Sequence, residues 1–180
     1  AEAERRVYAD RAEFMGDMDF VPVPIDKLIS DEYANDRWKS VDSLMASKSE
    51  DVSHGDIPFF ESEETTHYSV VDKWGNAVSV TTTINGWFGS GIVVDDAGFL
   101  LNNEMDDFSS KPGIPNTYGL IGNTANAIEP NKRMLSSMSP TIVETPEGEL
   151  FLVVGSPGGS TIITTAAQVI MNVIDFNMNI

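Results

Sequence analysis

The sequence predicts an α+β protein with helices layered on stacked antiparallel sheets. Three observations carry that expectation. Helix-like periodicity lies toward the two ends of the 180 residues, and a period of two dominates between them. The strand-like runs are joined by short turns bearing Gly, Asn or Pro, as hairpins require. Strands dominating with helices at either end is the pattern of layered α+β folds. The change of period is abrupt and falls at Glu64–Thr65.

At the start, residues 1–15 read as a helix, with Ala3, Val7 and Phe14 near one face and Arg5, Arg6, Asp10 and Arg11 mostly off it. Gly16-Asp17-Met18-Asp19 ends it. Phe20 to Pro24 is expected to be extended, because proline disfavours helix in the residue before it. A second helix is expected from Asp26 to Val41, with Leu28, Ile29, Tyr33 and Trp38 inward. From Ser43 to Glu64 periodicity vanishes while Ser, Glu, Asp and Gly accumulate, the signature of an exposed, protease-accessible segment.

Thr65–Asp72 and Ala77–Ile84 then read as a hairpin around Lys73-Trp74-Gly75-Asn76. Alternation puts Thr65, His67, Ser69 and Val71 on one face of the first strand, and Ser79, Thr81, Thr83 and Asn85 on one face of the second. Two polar faces side by side are expected to form a working surface rather than a core. Ile92–Asp95 with Phe99–Asn102, and Thr141–Glu144 with Leu150–Val154, make two further hairpins. Lys111 to Pro130 is an irregular loop of the length that lids have. Thr161 to Ile174 carries no charge and is expected to be a helix buried on most sides.

Composition excludes several function classes. The net charge is −17, with 17 acidic against 7 basic residues up to position 64 and 11 against 4 beyond it. Such a surface repels nucleic acid and anionic lipid. No apolar run reaches membrane-spanning length. Without cysteine there is no disulfide, thiolate metal site or cysteine nucleophile, and with two histidines a metal site is not expected. No cofactor is expected either. With a helical pattern already running at Ala1, the chain is expected to be the middle of a longer polypeptide.

The chemistry-bearing residues start with Thr65. A threonine opening a strand is commonly only a β-branched strand residue. Cleavage before it, however, gives the hydroxyl a neighbouring α-amine with a pKa of roughly 7.7–8.0, a nucleophile–base pair that needs no histidine. His67, two residues on at about 3.3 Å per residue, suits a supporting role better than that of base. Gly158-Gly159 ahead of a helix is often just a turn, but consecutive glycine N–H groups also make an anion nest. No Lys-Ser/Thr follows, so the nest suits a tetrahedral oxyanion rather than a phosphate. Glu104, Asp106 and Asp107 alone read as a solvated acidic turn. Together with Ser136-Ser137 they can grip a zwitterion, carboxylates on an ammonium and hydroxyls on a carboxylate. Asn85 and Tyr118 are weaker signals.

Thr65-Thr66-His67-Tyr68-Ser69-Val70-Val71-Asp72, Leu101-Asn102-Asn103-Glu104-Met105-Asp106-Asp107-Phe108, Leu135-Ser136-Ser137-Met138-Ser139-Pro140-Thr141 and Gly155-Ser156-Pro157-Gly158-Gly159-Ser160 resemble the γ-glutamyltranspeptidase family in order and spacing. Tyr8-Ala9-Asp10-Arg11 is similar to the family's region upstream of its cleavage site. The resemblance implies an N-terminal-nucleophile hydrolase with an αββα sandwich, incomplete in this fragment. It also implies one composite domain, with residues 1–64 ending a large subunit and 65–180 supplying most of a small one. By the same resemblance Glu64–Thr65 is the cleavage site and Thr65 the nucleophile, assisted by Thr83. Asn85, Glu104 and Asp107 hold the substrate's α-amino end, Ser136 and Ser137 its α-carboxylate, and Gly158 and Gly159 supply the oxyanion N–H groups. Tyr118 closes a lid toward Asn85. Implied partners are glutathione and related γ-glutamyl compounds, amino acid acceptors and the remainder of its own two subunits. The implied location is periplasmic or extracellular. Met134 departs from the family pattern, which often has Pro before the Leu-Ser-Ser run, as does Gly86-Trp87 in a variable stretch near the acceptor side, and the family's carboxylate-binding Arg lies upstream of Ala1. The same scaffold also serves cephalosporin acylases and polyglutamate transpeptidases, which are the alternative; a non-catalytic binding module is disfavoured.

Overall fold

The computed structural model describes residues 1–52, 65–116 and 119–179. Among them the chain is α+β, with four α-helices and three two-stranded antiparallel sheets. They fall into two compact units, one of residues 1–52, 105–116 and 119–135, the other of 65–104 and 136–179.

In the first unit, α1 spans Glu2–Phe14. Its anchor is polar, contrary to the apolar stripe expected, for Val7 and Phe14 are exposed and Arg6 is buried. The cause is the stretch that closes the next helical segment, whose carbonyls lack intrahelical partners. The Arg6 guanidinium donates to the Arg37 and Ser40 carbonyls at 3.1 and 2.9 Å and pairs with Glu2 at 2.8 Å. Glu2 accepts from the Ser47 hydroxyl and N–H, and these donors with Arg6 lower its pKa to about 2.

The single helix expected from Asp26 to Val41 is two, α2 (Ile25–Leu28) and α3 (Asp31–Trp38). Ser30 divides them. Its backbone is extended and its hydroxyl accepts the Tyr33 N–H at 3.3 Å, so it caps a new helix instead of continuing the old one. Ile29 and Trp38, expected inward, are exposed. Phe20 and Val21, expected extended, sit in a turn in which both N–H groups donate to the Asp17 carbonyl. The stretch after α3 is described only to Val52, which ends in the 3-10 turn Ser49–Val52; most of the expected protease-accessible segment lies outside the described residues.

The long loop is tethered. Pro115 bridges Ile121, Ser109 bridges Ala127, and Asn123 docks on the end of α1 through Ala12 and Glu13. Beyond it, Asp17 is buried and accepts from the Arg133 N–H at 2.8 Å and the Arg133 guanidinium at 2.6 and 3.0 Å.

In the second unit, β1 (Thr65–Val71) pairs with β2 (Ala77–Thr83). The turn between them is held by Asp72, whose carboxylate accepts the Trp74 and Asn76 N–H groups and the Asn76 amide. β3 (Val93–Val94) pairs with β4 (Phe99–Leu100), and β5 (Thr141–Glu144) with β6 (Leu150–Val154). α4 spans Ile162–Phe176.

The polar face of β1–β2, expected to be an open working surface, is the packed one. Ser69 and Ser79 donate to the carbonyls of Val153 and Val154 on β6, while Tyr68, Val70 and Val78 point outward and are exposed. Ser79 is half-buried and its backbone acceptor offsets the cost of that burial, whereas Ser69, at the outer part of the face, remains exposed. α4 is likewise covered on one side only, through Ile162 and Ala166 one turn apart; Met171, Ile174 and Phe176 are exposed.

Asp17 sets a stability prediction. Arg133 holds its carboxyl far below the ordinary carboxylate range. A depressed folded-state pKa stabilises above the unfolded value of roughly 3.9 and stops doing so as pH falls through the folded one. Asp17→Asn is therefore expected to melt below the unsubstituted protein at pH 7, with the gap closing below about pH 4; thermal unfolding across that range measures it.

Candidate active site

Thr65 opens β1 and its Cα partner across the ladder is Thr83, the last residue of β2. Directly opposed residues project to the same face, with Cα atoms roughly 4.5–5.5 Å apart. Both are half-buried. The Thr83 hydroxyl accepts the Asn85 N–H at 2.9 Å. This bond closes a tight turn that Asn85 enters with a φ of 74°, a left-handed conformation that Asn adopts more readily than most residues.

From there one hydrogen-bonded run leads to the acidic cluster. Asn85 Nδ2 donates to the Asn103 carbonyl at 3.2 Å, the Gly86 N–H to Asn103 Oδ1 at 2.9 Å, and the Asn103 N–H to the Ile84 carbonyl at 3.2 Å. Glu104 follows, its N–H on Asn102 Oδ1, and starts the 3-10 turn Glu104–Asp107. Its carboxyl is half-buried, and burial pushes its pKa up. An arriving ammonium would offset that burial by favouring the charged form.

Asp106 and Asp107 lie in the same turn and are half-buried, and both are counted in the other unit. The Asp107 carbonyl accepts the Asn126 side-chain amide at 2.7 Å, and its charge raises the pKa of Arg11 against the larger lowering from burial. Ser136 is exposed and its hydroxyl accepts the Met138 N–H; Ser137 is half-buried and its carbonyl accepts the Ser139 hydroxyl. Glu64 and Tyr118 lie outside the described residues.

Gly158 and Gly159 follow β6 and both have positive φ, 122° and 53°. Glycine is required there, since a side chain would strain the backbone. The loop runs into the 3-10 turn Gly159–Thr161 and then α4, and the Gly158 carbonyl is taken by the Thr161 N–H and hydroxyl. The geometry leaves the glycine N–H groups without an acceptor among the described residues.

His67 has a supporting place. Its ring nitrogens contact the Thr81 hydroxyl at 2.8 Å and the Ser69 hydroxyl at 3.1 Å, so it braces the β1–β2 face. The ring lies against Gly155, where a Cβ would overlap it. Two contributors escaped the sequence reading. Asn103 was one polar residue in a cluster, and only its pairing with Asn85 and Gly86 sets it apart. Gly155 stood in a glycine run, and its close approach to His67 joins residues far apart in sequence.

Among the described residues no group of three or more His, Cys, Asp or Glu side chains is disposed to hold a metal, and no helix is long and apolar enough to cross a membrane. An α+β chain whose strand-opening threonine faces a second threonine, with a glycine nest after a neighbouring hairpin, has the parts of a hydroxyl-nucleophile acyl-transfer site. Comparison with known proteins makes the assignment narrower. The model of the γ-glutamyltranspeptidase family matches residues 1–180, and the chain belongs to that family. It is 56% identical over 180 residues to the glutathione hydrolase proenzyme of Escherichia coli K12, covering 100% of this chain and 31% of that protein. It is 54% identical over 178 residues to the glutathione hydrolase proenzyme of Pseudomonas aeruginosa PAO1, covering 99% and 31%. A crystal structure of an acivicin-inhibited γ-glutamyltranspeptidase is similar with a TM-score of 0.60 and 73% identity, over 63% of this chain and 60% of that one. The chain thus spans about a third of the length of these curated relatives.

The contact between Gly155 and His67 is open to test by a double-mutant cycle. Gly155→Ala is expected to destabilise by about 1–3 kcal/mol, the cost of forcing extra volume into a packed site. In the His67→Ala background the same change is expected to cost much less, because the ring it would meet is gone. Denaturant unfolding of the four proteins measures the coupling.

Proposed function

We propose that the complete polypeptide carrying this sequence is a self-processing γ-glutamyl transferase and hydrolase that acts on glutathione and related γ-glutamyl amides. The observation that carries the reading is the register of β1 on β2, which sets Thr65 against Thr83 in a chain matched throughout by the γ-glutamyltranspeptidase family. Residues 1–64 end the large subunit and 65–180 begin the small one, within an αββα sandwich completed by residues outside this chain.

In the precursor, Thr65 Oγ attacks the Glu64 carbonyl and displaces the Thr65 amide nitrogen, leaving an ester. The displaced nitrogen is the free Thr65 amine, and water opens the ester to give a Glu64 carboxylate and restore the Thr65 hydroxyl. In the mature enzyme that amine accepts the Oγ proton as Oγ attacks the γ-carbonyl of the donor, with Thr83 hydrogen-bonded to the nucleophile. The Gly158 and Gly159 N–H groups hold the oxyanion, and the leaving amine departs with the proton. Water or an acceptor amine then attacks the glutamyl ester and regenerates Thr65. Asn85, Glu104 and Asp107 hold the donor's α-ammonium, Ser136 and Ser137 its α-carboxylate, and Tyr118 covers the bound glutamyl group.

Thr65→Ala in the complete polypeptide is expected to leave one uncut chain with no γ-glutamyl release; gel electrophoresis and a γ-glutamyl anilide assay read both. Splitting into two subunits despite the substitution would refute the self-cleavage. Glu104→Gln is expected to process normally and to raise the donor KM about ten- to a hundredfold, the loss of one charge-assisted bond. The unsubstituted enzyme's kcat/KM is expected to rise with pH through the Thr65 amine, roughly 7.7–8.0 before perturbation, since only the neutral amine accepts a proton.

A further inference from the structure

Asn126 is buried at the end of the 3-10 turn Thr124–Asn126, and all four of its polar groups are engaged. Its N–H donates to the Asn123 carbonyl at 3.1 Å and its carbonyl accepts the Ser109 N–H at 2.9 Å. Those two bonds fix the residue. The side chain then reaches two separate segments at once. Nδ2 donates to the Asp107 carbonyl at 2.7 Å, and Oδ1 accepts the Leu135 N–H at 3.1 Å.

These two segments are the ones to which the proposed function gives opposite ends of the donor. Asp107 is assigned the α-ammonium. Leu135 is joined directly to Ser136-Ser137, assigned the α-carboxylate. We propose that Asn126 is a positioning residue for the γ-glutamyl donor, a buried amide that holds the backbones of Asp107 and Leu135, the residue before Ser136, at a fixed spacing. The inference rests on the functional reading above and adds to it a residue that touches no substrate.

Two features make the amide suited to this work. An amide presents a donor and an acceptor from one rigid planar group, so the two segments are set against each other with no hinge between them. A buried amide also has little freedom to swap partners, because any bond it drops is left unsatisfied. The Leu135 segment has a second restraint two residues earlier, where Arg133 is tied through its N–H and guanidinium to buried Asp17. Between these points, from Arg133 to Leu135, the backbone has little freedom to drift.

Asn126→Asp is the discriminating substitution. It keeps the size and the acceptor for the Leu135 N–H, but puts a carboxylate oxygen where Nδ2 donated to the Asp107 carbonyl. Asn126→Ala removes both arms. In the complete, self-processing enzyme both are expected to yield two subunits as the unsubstituted protein does. The donor KM is expected to rise about tenfold or more, while kcat stays within about threefold, because the Thr65 chemistry is not touched. Melting temperatures and subunit yields are measured alongside.

A donor KM unchanged in both variants overturns the inference, as does a fall in kcat with KM unmoved. Failure of both variants to process, or to melt as a folded protein, overturns it as well and makes Asn126 a purely structural residue. The unsubstituted enzyme separates this result from the larger one. If it releases no γ-glutamyl group, the proposed function is refuted; if it does and the variants match it, only the role of Asn126 falls.

Discussion

The pairing of β1 with β2 is the constraint on which the second unit depends. Its register puts Thr65 opposite Thr83 and, by the same ladder, His67 opposite Thr81 and Ser69 opposite Ser79. A shift of one residue would turn every one of these side chains to the other face. The half-buried Ser79 hydroxyl has a fixed acceptor in the Val154 carbonyl, so a slipped strand would leave that group without its partner. Fixing the register therefore fixes the position of Thr65 relative to Thr83, and through Thr83 the start of the turn that leads to Glu104.

The first unit is organised on a different principle. Buried charges do there what apolar side chains do in most small helical cores. Arg6 closes α1 onto the end of α3, Asp17 holds Arg133, and the Lys132 ammonium is fully enclosed, paired with Glu129 and set over the Phe20 ring. Each such group is stabilising only while its partner is present, and loss of one partner leaves an uncompensated charge. The same unit also leaves the Ser109 hydroxyl buried with no partner among the described residues, packed against the backbone of Gly122.

The strands were legible because alternation and turn chemistry are local. The span β5 (Thr141–Glu144) and β6 (Leu150–Val154) matches the sequence reading residue for residue. Helix boundaries were less legible where a cap decided them, since Ser30 looks like any polar helix residue until its hydroxyl meets the Tyr33 N–H. Burial was least legible. Polarity places Arg6 and Ser79 toward solvent, yet Arg6 is buried and Ser79 half-buried because backbone carbonyls distant in sequence accept from them. In the candidate site, the residues with distinctive chemistry were visible from spacing. Those whose work is to hold others, Asn103, Asn126 and Gly155, were not, since nothing in a single sequence tells which carbonyl an amide will meet.

The inverted sheet also decides which substitutions the second unit can absorb. On the outer face, where Tyr68, Val70 and Val78 are exposed, nothing is measured except bulk and β-preference, so the vocabulary is wide. On the inner face the half-buried Ser79 brings a short side chain ending in a donor for the Val154 carbonyl, and the choice there narrows to serine or threonine. Volume does not rescue an apolar replacement, because a methyl group of the right size cannot make the bond to the Val154 carbonyl. The alignment of these strands is thus written in the direction of hydrogen bonds rather than in shape, a code with few synonyms.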